Sequence, residues 1–255
     1  MYGHNPFTSA TPEEAQPVLS EKRVDILKSY PWIVGISSIL CFSGAIVRFC
    51  RLAFDPIVAN LFGVWPLCAA IGPLILILVA FLINLTKCLP GRLAALIGIV
   101  GPSIVLFFGA YRLGIESLGM SAGFVSTDCV TFQRKYELSQ SWKAASDFKA
   151  GCSGASTIQE CPNYEGELAK NPDWNFLQYL ETSTGCGGWC APGKTLWVFP
   201  SGVRDPCSVV VGEALSARVF YPAIQLAIFN TAILFMSVVG ISLLGPKLLA
   251  HGVAW

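Results

Sequence analysis

Charge and histidine are what this sequence has least of. Asp, Glu, Lys and Arg together make up 13% of its 255 residues, against about 25% in a soluble domain. Hydrophobic residues make up 53%, and the mean hydropathy is +0.58. So little charge excludes an ordinary soluble fold and points to the bilayer. The only two histidines, His4 and His251, stand at opposite ends of the chain, which starves any histidine-based catalytic or metal site. No phosphate-cradling glycine loop is readable, and no paired carboxylates sit in a context that supports acid–base chemistry. Glu165 and Glu167 read as solvated surface charges. Neither an enzyme nor a cofactor is expected. A net charge of +1 gives nucleic acid nothing to bind. The N-terminal stretch does not read as a secretory signal either: residues 1–30 are polar, carry Pro6, Pro12, Pro17, Glu13 and Glu14, and are expected to form a disordered cytosolic tail.

What the chain does have is long apolar runs. A helix needs about 20 mostly apolar residues to cross the hydrocarbon core. Four segments meet that demand: Pro31–Val47, stopped by Arg48 and Arg51 unless these snorkel; Ile57–Leu85, with Pro66 and Pro73 inside; Leu93–Tyr111, between Arg92 and Arg112; and Val219–Leu244, between Arg218 and Lys247. No Asp, Glu, Lys or Arg lies within the last three, which weakens a transporter reading, because intramembrane charges mark ion pathways. Asn60, Asn84, Gln225 and Asn230 are the polar residues there, read as helix–helix hydrogen-bonding groups. Small residues recur four apart as Cys68 and Gly72, Ala94 and Gly98, and Ala223, Ala227 and Thr231, flat surfaces that let helices pack closely. The expected architecture is an all-α four-helix transmembrane bundle. Residues 31–111 hold the first three spans, 112–218 a large loop, 219–246 the fourth span and 247–255 a cytosolic tail.

Four spans place both termini on one side. That side carries Lys22, Arg23, Lys28, Lys87, Arg92 and Lys247, six cations against Arg48, Arg51, Arg112 and Arg218 on the other. The bias favours cytosolic termini and an extracellular or lumenal loop. Six of the ten cysteines fall in that loop: Cys129, Cys152, Cys161, Cys186, Cys190 and Cys207. An even cluster in a Gly/Pro-punctuated segment reads as a disulfide framework in an oxidising compartment, with 15 pairings open. Without histidine or paired CxxC motifs, a thiolate zinc site is the lesser alternative.

Two helices are legible in the loop. Residues Thr131–Ala150 carry an apolar stripe of Phe132, Tyr136, Leu138, Trp142 and Ala145 and end at Gly151. A second begins with Asn171 as N-cap, Pro172 and Asp173, and stops before Gly185. Trp197, Val198 and Phe199 read as a short edge strand. The loop aromatics Trp174, Phe176, Trp189, Trp197 and Phe199 form either the loop's own core or a surface for a partner protein.

In layout, and in the stretch from Trp174 through Phe176 and Leu180 to Cys186-Gly-Gly-Trp-Cys190, the chain resembles a divergent tetraspanin. The stretch is similar to that family's helix leading into a Cys-Cys-Gly motif, with Gly187 where the second cysteine is expected. The resemblance implies a Cys186–Cys207 bond, a palmitoylated juxtamembrane cysteine at Cys88, and a non-enzymatic scaffold. Its partners would be other integral membrane proteins, membrane lipids and further copies of itself. Asn84-Leu85-Thr86 matches a glycosylation sequon but falls at the cytosolic end of its span in this topology. Two other readings remain at this point: an accessory subunit of a large membrane assembly, such as an organellar energy-converting complex, and a small transporter or channel.

Overall fold

The structure, a computed structural model, describes residues 36, 39–86, 96–199 and 202–250. Cys88, Ala94, the 1–30 tail and the end of the 247–255 tail lie outside them. The described chain is helical with no strand, and three helices are long and apolar enough to cross a membrane: Trp65–Ile83, Leu96–Val125 and Cys207–Gly240.

Helix α1 occupies residues 39–53 and runs through both Arg48 and Arg51, which are exposed. Its face of Phe42, Ala45, Ile46 and Phe49 is buried, at i, i+3, i+4 and i+7. The described part covers only the C-terminal portion of the expected first span.

The 29-residue run Ile57–Leu85 is not one helix. It divides into α2 (Pro56–Phe62) and α3 (Trp65–Thr86). The Asp55 carboxylate accepts from the Ile57 amide at 2.9 Å, and Pro56 opens α2 where its missing N–H costs nothing. Gly63 then stops it at φ 68°, a left-handed value that favours glycine. Hydropathy alone could not see this break, because α2 carries no charge and reads as part of the same apolar run. Pro66 sits in the first turn of α3 and only Pro73 lies in its interior.

A π turn, Leu96–Val100, leads into α4 (Gly101–Val125). This helix passes Arg112 without interruption, and the Arg112 side chain pairs with Glu116 at 2.7 Å and lies 4.6 Å over the Trp65 ring. At the other end α8 (Cys207–Ala214) continues through a π segment, Leu215–Phe220, into α9 (Tyr221–Ala250). The boundaries expected at 111/112, 218/219 and 246/247 therefore fall inside continuous helices. At about 1.5 Å per residue, the 30 and 34 residues of these two spans exceed the hydrocarbon thickness by some 10 residues or more. The surplus forms a paired stalk of α4 and α8 under the loop domain.

Glycine sets how closely these helices approach. A Cβ on Gly212 would stand 2.5 Å from Val125 Cγ2 and 2.9 Å from the Ser121 carbonyl oxygen, and Ser121 Oγ donates to the Gly212 carbonyl at 2.7 Å. Of the small residues expected at helix contacts, Gly98, Ala223 and Ala227 are buried, and Gly72 abuts Val105. Cys68 and Thr231 face outward instead, the threonine hydroxyl donating back to Ala227 O at 2.8 Å. Gln225 is exposed, whereas Asn230 is buried with its amide donating to Leu226 O at 2.7 Å.

The loop domain consists of α5 (Gln133–Ala150), α6 (Tyr164–Lys170) and α7 (Asp173–Thr184) with irregular segments between. The first ends at Gly151 and the last at Gly185, which has φ 69°. Helix α6 was not legible in the sequence, and its presence reassigns Asn171. That side chain donates to the Glu167 carbonyl at 2.9 Å and closes α6, while Pro172 holds the N-cap position of α7. An exposed carbonyl at a helix end needs a donor, and Asn171 is the nearest.

Candidate functional site

Three disulfides staple the loop domain: Cys129–Cys190, Cys152–Cys161 and Cys186–Cys207. The last is the pairing that the tetraspanin resemblance implies. It ties the end of α7 to the start of α8, and thus the domain to its stalk. Cross-links of this kind stabilise chiefly by restricting the unfolded chain, typically by a few kcal/mol each. Cys41, Cys50 and Cys68 are free.

The glycines after Cys186 have a structural reason. A Cβ at Gly187 would lie 2.6 Å from the Gly193 carbonyl oxygen, and one at Gly188, where φ is 75°, would lie 2.2 Å from the Ala191 oxygen. A second cysteine directly after Cys186 does not fit this turn. The backbone packs tightly here because Gly187 N donates to Asp205 O at 2.9 Å and Gly193 pairs with Arg204 in an antiparallel bridge.

That bridge joins the two ends of the segment between Gly193 and Arg204. The first part of that segment lies on the domain as a strap. Trp197, Val198 and Phe199, expected as an edge strand, form no strand because their side of the chain has a different acceptor. Both carboxylate oxygens of Glu181 accept from Leu196 N at 2.9 Å, and Oε2 also accepts from Trp197 N at 2.7 Å. Glu181 is 1% exposed. Burial pushes its carboxyl up to about 7, against the opposing pull of the Trp197 and Leu196 amides and of Lys149. Beneath the strap, Trp197 Nε1 donates to the Tyr164 hydroxyl at 2.9 Å, and burial raises the tyrosine's pKa.

A second buried charge closes the stalk. Lys135 is 1% exposed and its ammonium donates to Phe124 O at 2.9 Å and to Ser126 O. These carbonyls belong to the last turn of α4 and to its C-cap, where a cation also meets the negative end of the helix dipole. Desolvation lowers the lysine's pKa, partly offset by Asp128. Next to it, Arg134 donates to Asp173 Oδ1 at 2.9 Å and to Asn60 Oδ1 at 3.0 Å. Asn60, expected to bond between helices inside the membrane, instead joins α2 to the loop domain.

The five aromatics expected at a partner surface separate sharply. Trp174, Phe176, Trp189 and Trp197 are buried in the domain's core with Leu138, Ile158, Leu177 and Leu180. Phe199 is 70% exposed, and Val203, across the same loop, is also 70% exposed. Sequence reasoning missed Glu181, Lys135 and Val203. The first two were readable as charges on apolar stripes, Glu181 lying four residues after Leu177 and Lys135 three before Leu138. Beside the strap runs an open groove of about 900 Å³ walled by Trp142, Lys143, Lys149 and Lys194.

Compared with protein-family models, with curated proteins and with solved structures, the chain finds no match.

Proposed function

We propose that this protein is a non-enzymatic membrane scaffold of tetraspanin type. In this reading four helices cross the bilayer, the fourth being α1 with the residues before it. Both termini lie in the cytosol, and the stapled loop domain stands outside the cell or in a lumen. The bundle associates laterally with other integral membrane proteins, and an acyl chain on Cys88 anchors it at the cytosolic face. The observation that carries the reading is the pairing of Phe199 and Val203, both largely exposed, on a loop whose base is fixed by two disulfides and a backbone bridge. Exposed apolar side chains on a rigid base are suited to a protein contact, because docking them costs little ordering entropy.

Copurification in mild detergent tests it. The wild-type protein is expected to retain stoichiometric membrane partners, and Phe199→Asp combined with Val203→Asp is expected to lose them while preserving the monomer's elution volume. Recovery of the same partners with the double variant, or a partner-free wild type, would contradict the reading.

A further inference from the structure

We infer that the groove beside the strap is a docking site for a short acidic segment of a partner protein's outer portion. The inference rests on the scaffold reading only for the source of that segment; the chemistry of the groove stands without it. One wall is a face of α5, where Ser139, Trp142, Lys143, Ser146 and Lys149 follow at i, i+3, i+4, i+7 and i+10. The other wall is the turn Gly188–Cys190 and the start of the strap, Lys194 to Leu196. Both walls are fixed before anything binds. Cys190 is bonded to Cys129, Gly193 pairs with Arg204, and Lys149 Nζ reaches the Thr195 and Leu196 carbonyl oxygens at 3.4 Å. A preformed cleft loses little ordering entropy when it is filled.

Charge selects the occupant. Between residues 127 and 206 the chain has seven Lys and Arg against nine Asp and Glu, so the loop domain is slightly acidic. Its cations are nevertheless gathered at this groove or spent elsewhere. Arg134 and Lys170 sit in ion pairs, and Lys135 is buried on carbonyl oxygens. Lys143, Lys149 and Lys194 line the groove, and Asp147 is the one acid among its lining residues. Lys149 serves the strap, but Lys143 and Lys194 are exposed and have no partner among the described residues. The Trp142 indole N–H and the Ser146 hydroxyl, both on half-buried residues, meet no acceptor there either. Donors in excess of acceptors beside a tryptophan ring suit carboxylates carried on a chain with apolar side chains between them. A long sulfated glycan suits the site less well. No arginine lines it for bidentate sulfate contacts, and beyond Asp147 lies a second depression lined by Glu160. A densely charged polymer meets repulsion a short way past the lysines, whereas a short acidic segment ends before it.

Titration of labelled peptides into the purified full chain in detergent tests the groove separately from the recovery of membrane partners. The probes are decapeptides of one apolar composition that carry four Glu, four Gln or four Lys. The Glu peptide is expected to bind about 5- to 10-fold more tightly than the Gln peptide and the Lys peptide more weakly than either. That preference should shrink as salt rises from about 50 to about 500 mM. Lys143→Glu combined with Lys194→Glu should remove it, while Lys170→Glu, at an exposed position on α6, should leave it intact. Asp147→Asn removes the repelling carboxylate and should tighten the Glu peptide about 2- to 3-fold. Trp142→Phe keeps an aromatic ring but loses the N–H, and should weaken binding about 2- to 10-fold. Equal affinity for the Glu and Gln peptides, or a preference that survives the double variant, would overturn the proposal. So would lysine-dependent binding of heparin that is tighter than binding of the Glu peptide. A Glu preference in a protein that copurifies with no partner would leave the groove standing and contradict only the scaffold reading.

Discussion

Lys135 and Glu181 show how single buried charges do opposite tasks in one small domain. The ammonium completes a helix end whose Gly123 and Ala122 carbonyls are taken by the Ser126 hydroxyl and amide, since Phe124 and Ser126 present their own carbonyls to it at the top of the stalk. Removing the side chain leaves two acceptors without their donor in a buried place and opens a cavity. Lys135→Ala should therefore cost about 2–4 kcal/mol, read as a lowered thermal midpoint in detergent. Lys143→Ala, one exposed position on the same helix, should leave the midpoint unchanged. The carboxylate, by contrast, holds a segment with no strand partner by accepting the Leu196 and Trp197 amides. Both residues interrupt apolar stripes of the sequence. A charge on such a stripe is visible in the sequence, but what it faces comes from chain segments distant in sequence, so neither partner set was legible.

Between elements, the decisive positions are glycines and helix ends. The apolar spans Leu96–Val125 and Cys207–Gly240 were legible in position because burial in lipid demands length and hydropathy. Their true extents were not, because Arg112 and Arg218 interrupt the apolar run in the sequence without ending a helix. The same limit explains α2: hydropathy does not distinguish a short apolar helix ending at Gly63 from the start of a span. Asn171 was assigned to the wrong helix for want of α6. Close packing of α4 on α8 rests on Gly212, where a side chain has no room beside Val125 and Ser121. Gly212→Val should force the stalk apart at a cost of about 1–3 kcal/mol. The measurable outcome is a lower thermal midpoint and faster exchange of amides around residues 121–125, whereas Gly119→Ala, which meets nothing within 4 Å, should be neutral or slightly stabilising.

The whole molecule joins two environments with opposite demands. Its long helices are apolar, with Arg112, Glu116, Glu213 and Arg218 confined to the parts nearer the loop domain, while that domain has a compact aromatic core, buried ion contacts and three cross-links. The even clustering of six cysteines made the cross-links legible in number but not in pairing, which depends on how α5, α7 and the segments around Gly188 fold together. Placing four of five loop aromatics in the core leaves Val130, Phe199 and Val203 as the most exposed large apolar side chains among the described residues of the loop domain. Everything proposed for that surface requires an oxidised loop domain on the non-cytosolic side. The most direct test is peptide mapping without reduction, on protein alkylated in native membranes before extraction. The account predicts three linked pairs, Cys129–Cys190, Cys152–Cys161 and Cys186–Cys207, with Cys41, Cys50 and Cys68 recovered as thiols. Alkylated loop cysteines, or a different set of pairs, would contradict it.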